Sequence, residues 1–95
     1  MARHIHMTVF GGNLIGTMTD VDEDASARRY VELLHARLRQ AYPDAEVDIR
    51  LAFAAGVTPP TRVIVDHEED AAAAGEVDAL AAALRASGEW AVSAS

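Results

Sequence analysis

The phrase TDVDEDASA, residues 19–27, returns as VDHEEDAAA at residues 65–73, 46 positions later. Laid over itself at that offset, the chain matches Asp20 with Asp66, Glu23 with Glu69 and Asp24 with Asp70. Behind these, Val31 meets Val77, Leu34 meets Leu80, Leu38 meets Leu84 and Arg39 meets Arg85. The matches fall where a helix would begin, where it would bury a stripe and where it would end. Apolar residues at 27, 31, 34, 38 and 41 recur at helical spacing, with Arg28, Glu32, His35 and Arg39 on the opposite side. Asp22 or Asp24 caps this first helix, and Pro43 ends it. Asp70 caps a second helix over residues 71–86, with Val77, Leu80 and Leu84 inward and Gly88 as the stop.

Strands are read between the helices. RHIHMTVF at residues 3–10 alternates, with Ile5, Met7 and Val9 on one face and His4, His6 and Thr8 on the other. GGN at residues 11–13 reads as a turn, and residues 14–21 as a second strand weakened by Gly16. AEVDIRLAF at residues 45–53 alternates most cleanly, burying Val47, Ile49, Leu51 and Phe53 and wetting Glu46, Asp48 and Arg50. Pro59 and Pro60 keep the following loop extended, and RVIVD is a further strand. EWAVSA offers a last short one. Ala45 meets Ala91 in the repeat, so each unit reads strand–helix–strand. Two units give an α+β fold, the ferredoxin-like β-α-β-β-α-β arrangement with an extra N-terminal strand. It implies an antiparallel sheet with two helices on one face and the other face open. The alternative is β-β-α-β-β-α, and residues 90–94 separate the two.

A chain of 95 residues has room for one core, so residues 1–95 read as a single domain. With no cysteine, there is no disulfide and no thiolate chemistry. No apolar run reaches the roughly 20 residues of a membrane span, and the default location is cytoplasmic. The formal charge is −7, and all eight basic residues are arginine. That charge argues against direct binding to nucleic acid, which depends on neutralising phosphates.

The two acidic clusters, Asp20, Asp22, Glu23 and Asp24 in one and Asp66, Glu68, Glu69 and Asp70 in the other, are the candidate partner-binding patches. Their simplest role is structural, as caps and charges at helix N-termini. DVDEDA begins like a calcium loop and then fails, with Ala25 in place of glycine and Val31 in place of glutamate. In the ferredoxin-like order the two clusters lie at opposite poles, about 17–20 Å apart.

His4 and His6 project from one strand face and form a candidate metal pair, for which a third ligand is needed. The serines show no nucleophile elbow, no phosphate-binding loop occurs, and no cofactor is implied. The open face carries no paired aromatics for stacking RNA bases. Three functions follow. The first is a non-enzymatic module that docks on a basic protein, as an inhibitor, immunity-type or adaptor protein or as a mimic of nucleic-acid charge. The second is a small-molecule or metal-binding homodimer formed through the open sheet face. The third is a small enzyme using His4, His6 or Arg50.

Overall fold

Arg3–Phe10 is strand β1, the central rod of the molecule. The computed structural model describes residues 3–16 and 19–93. Helices α1 (Gly11–Ile15) and α2 (Glu23–Ala41) follow, then strands β2 (Ala45–Ala52), β3 (Arg62–Val65) and β4 (Glu68–Glu69), and helix α3 (Ala71–Ser87). The four strands form one sheet in the order β2-β1-β3-β4. β1 pairs parallel with β2 over its whole length, from Arg3↔Ala45 to Phe10↔Ala52. It pairs antiparallel with β3 only over Arg3–His6. The sheet is therefore mixed, where a wholly antiparallel one was expected. β1, α2 and β2 make a parallel crossover with the two strands side by side.

The core lies on one face of this sheet. Ile5 and Val9 of β1 and Val63 of β3 are buried with Leu34 and Leu38 of α2 and with Val77 and Leu84 of α3. Met7, Val47, Ile49, Leu51 and Val65 pack partly buried against the same cluster. The alternation read in the sequence thus points its apolar half at the helices, except that Phe53, expected to be buried, lies beyond the end of β2 and is exposed. The other half, His4, His6, Thr8, Glu46, Asp48, Arg50 and Arg62, is left on the open face.

The segment expected as a second strand is different. Leu14 and Ile15 belong to α1 and are buried in the core. Residues 17 and 18 lie outside the described residues. Among the described residues Val21 makes a single antiparallel bridge, with Ser93. Nor is GGN a hairpin turn, for Gly11–Asn13 open α1. Gly12 is needed there because a Cβ would stand 2.7 Å from the amide nitrogen of Ala55. Asn13 ties the same loop down, its Nδ2 donating to the Gly56 carbonyl at 2.6 Å and its Oδ1 accepting from the Gly56 amide at 3.2 Å.

The last expected strand is likewise absent among the described residues. Trp90 is a core residue, meeting Tyr30 edge-on at 6.0 Å and donating from Nε1 to the Arg85 carbonyl. The chain beyond it is pinned to the start of α2. The Asp22 amide donates to the Val92 carbonyl at 2.8 Å, and the Val92 amide donates to Oγ of the fully buried Ser26 at 2.9 Å.

The two long helices come out as read. Asp22 caps α2, Tyr42 follows its last turn just before Pro43, and Gly88 ends α3 in the left-handed region at φ 72°. The helix stripes repeat at the offset of 46: Ala27 and Ala73, and Leu38 and Leu84, are buried in pairs. The flanking strands do not repeat with them.

Candidate functional site

The first acidic cluster is built around a helix start. Asp22 has extended backbone, with φ −79° and ψ 113°, and its carboxylate accepts from the Ala25 amide at 2.9 Å. Glu23 and Asp24 occupy the first turn of α2, where negative charge meets the positive end of the helix dipole. Asp20 lies in the bend before them, and all four side chains are exposed. With its carboxylate turned inward to the helix, Asp22 already has its partner, and the resemblance to a calcium loop goes no further.

The second cluster is built differently, although its wording is similar. Asp66 and His67 both have positive φ, 51° and 68°, and form the two-residue turn between β3 and β4. Positive φ at both central residues defines a type I′ hairpin turn, whose twist suits the strands it joins. Glu68 and Glu69 are strand residues, and Asp70 caps α3 by accepting from the Ala73 amide at 3.0 Å. The matched pair Asp24 and Asp70 therefore do different work, since the cap of α2 is Asp22. Glu69 accepts from Nε of Arg62 at 2.8 Å. It is the only residue of either cluster in an ion pair among the described residues.

The two clusters sit at opposite ends of the sheet. β1 runs towards α1 and α2, whereas β3, antiparallel to it, delivers the chain to α3 beside Arg3. The interval is of the order of the eight residues of β1, about 25 Å at a strand's rise per residue. No single ion or small ligand can touch both.

The open face brings other residues together. His4 and His6 stack, with ring centroids 4.0 Å apart and planes at 18°. The parallel register sets Glu46 opposite His4 and Asp48 opposite His6. Nδ1 of His4 lies 3.8 Å from Glu46 Oε2, and Nδ1 of His6 lies 3.7 Å from Asp48 Oδ2. One ligand atom from each of His4, His6 and Asp48 falls within 4.8 Å of the others. Beside this group a cavity of about 340 Å³ is lined by His6, Thr8, Asp48, Arg50, Pro59 and Arg62, among others. Asp48 was missed as a candidate from sequence alone, because the alternation marks it as wet but says nothing of which strand lies next to it. His35 on α2 and His67 in the hairpin turn do not join the group.

Two tyrosines are perturbed, both away from this face. Burial raises the pKa of Tyr30, with the nearby Arg85 charge opposing. Burial also raises that of Tyr42, helped by its hydrogen bond to Glu76 and by that carboxylate's charge.

No protein-family model matches the chain, and neither a curated protein nor a solved structure matches it. Among the described residues no helix is long and apolar enough to cross a membrane.

Proposed function

We propose that this α+β domain is a non-enzymatic interaction module that docks its acidic poles on a basic protein partner. The observation that carries this reading is the unneutralised charge of the two clusters. The chain has 15 carboxylate residues and eight arginines. Among the described residues only Arg37 with Glu89 and Arg62 with Glu69 form arginine–carboxylate pairs. Asp20, Glu23, Asp24, Asp66 and Glu68 are exposed and, among the described residues, have no cationic neighbour in an ion pair. The helix starts account for Asp22 and Asp70, which cap. They account less well for Asp20, Asp66 and Glu68, whose charge serves no cap. Such a field steers a basic partner in diffusional encounter and sets its orientation.

An inhibitor, an immunity-type protein, an adaptor and a mimic of nucleic-acid charge all use a surface of this kind. The polar make-up of the open sheet face favours a solvated surface over a buried homodimer face. A ferredoxin-like origin by internal duplication belongs to the same proposal. Its support is the shared buried stripe of α2 and α3, and the direct β1–β2 pairing is what any such relationship has to accommodate.

The reading is tested by immobilising the domain, passing over it a lysate of the source cells and washing at stepped salt. A basic protein released as salt rises is the expected result, because screening weakens exposed charge pairs beyond a Debye length of about 8 Å at physiological ionic strength. Binding that is indifferent to salt, or an acidic partner, would contradict it.

A further inference from the structure

We propose that His4, His6 and Asp48 bind a divalent zinc-like cation on the open face of the sheet. The geometry arises in three steps. An H-x-H spacing on a strand puts both imidazoles on one face, because side chains alternate. The parallel register of β1 with β2 then sets a carboxylate directly across from each, Glu46 by His4 and Asp48 by His6. The open face, free of helices, leaves these groups able to reorient: the two histidine side chains are each 39% exposed and Asp48 59%.

The donor set selects the ion. Two imidazole nitrogens and a carboxylate suit Zn²⁺, whereas Ca²⁺ and Mg²⁺ take oxygen ligands. Zinc holds nitrogen at about 2.0–2.1 Å, so ligand atoms of one tetrahedral shell lie roughly 3.3 Å apart. The three ligand atoms here lie within 4.8 Å of one another, a gap that rotation of these exposed side chains would close on the ion. The stacked rings at 4.0 Å would turn their nitrogens towards a common point. Glu46, whose carboxylate is 3.8 Å from His4, would supply a fourth ligand or hold the His4 ring in place. Arg62 is opposite His6 in the register, but its guanidinium is drawn to Glu69 on β4 at 2.8 Å. Arg50, two residues beyond Asp48 on the same face, is the other positive charge in the lining of the adjoining cavity.

The proposal is independent of the acidic poles, since none of its residues belongs to either cluster. Its alternative is a pair of ordinary histidine–carboxylate contacts on a wet strand face. Calorimetric titration of Zn²⁺ into the full chain separates the two. The expected result is a saturable isotherm of one ion per chain in the wild type, in H35A and in H67A. The isotherm is lost in H6A and weakened at least about tenfold in D48N. Circular dichroism checks that the variants fold, and the near-isosteric D48N decides the matter if H6A does not. The absence of a saturable isotherm in the wild type would overturn the site, as would one that D48N leaves unchanged.

Discussion

Ser26 is the residue on which the end of the chain depends. It is fully buried, and its Oγ accepts from the Val92 amide at 2.9 Å while facing the Val92 carbonyl at 3.4 Å. Alanine there would leave that amide without its partner, a loss of about 1–3 kcal/mol for a buried donor. Ser26→Ala should lower the thermal midpoint by several degrees and speed amide exchange at Val92 ahead of the core. An unchanged midpoint with unchanged exchange would mean that Trp90 and the Asp22–Val92 hydrogen bond hold the tail without Ser26. Tyr30 gives a second residue-scale test. Its raised pKa means that the folded chain keeps the phenol proton after the unfolded chain has released it. The associated stability is present in full below the unfolded value of about 10 and is lost as pH rises through the raised folded value. Tyr42 shifts in the same direction. Denaturant midpoints should therefore fall from about pH 10 upward, and Tyr30→Phe should blunt that fall while losing the hydrogen bond to the Ala81 carbonyl.

At the scale of elements, Gly75 sits exposed inside α3, and a Cβ added there meets nothing within 4 Å. Gly75→Ala should stabilise the domain by about 0.5–1 kcal/mol, a rise in midpoint of about 4–8 °C per kcal/mol for a chain near this size. A fall in midpoint would mean that α3 is not a regular helix there. Helices α2 and α3 were legible because their signals are local: a carboxylate cap, a stripe at 3.6-residue spacing, then Pro43 or Gly88. Strands β1 and β2 were legible from alternation, and β3 was read as a strand without it. What alternation could not supply was pairing. Nothing local states that residues 45–52 lie parallel beside residues 3–10, so both the mixed sheet and the place of Asp48 had to come from the fold. The error over residues 14–21 has a different cause. Leu14 and Ile15 look like strand residues by composition, yet they lie in the short helix α1, whose Gly12 leaves no room for a Cβ beside the Ala55 backbone. Trp90 misled in the same way, its side chain filling core space beside Tyr30 where a strand residue was expected. The acidic repeat was only half informative. It marks two helix starts, but Asp66 and His67 use the second copy to close a hairpin.

At the scale of the molecule, the domain is a two-layer body measuring 45 × 26 × 17 Å, with acid at both ends and imidazoles on its bare face. The helices and the core explain its stability. They leave unexplained the charge carried by Asp20, Asp66 and Glu68, and that surplus is the basis of the interaction proposal. If it serves binding, stability and binding should come apart when it is removed. The most direct measurement is capture of the basic partner by the wild type against a variant with Asp20→Asn, Glu23→Gln, Asp66→Asn and Glu68→Gln, which leaves both capping carboxylates in place. The account predicts a variant that melts close to the wild type and retains at least about tenfold less partner at physiological salt, a loss of 1.4 kcal/mol or more in affinity. Undiminished capture by a folded variant would contradict it, and the acidic poles would then be helix starts and hairpin and nothing more.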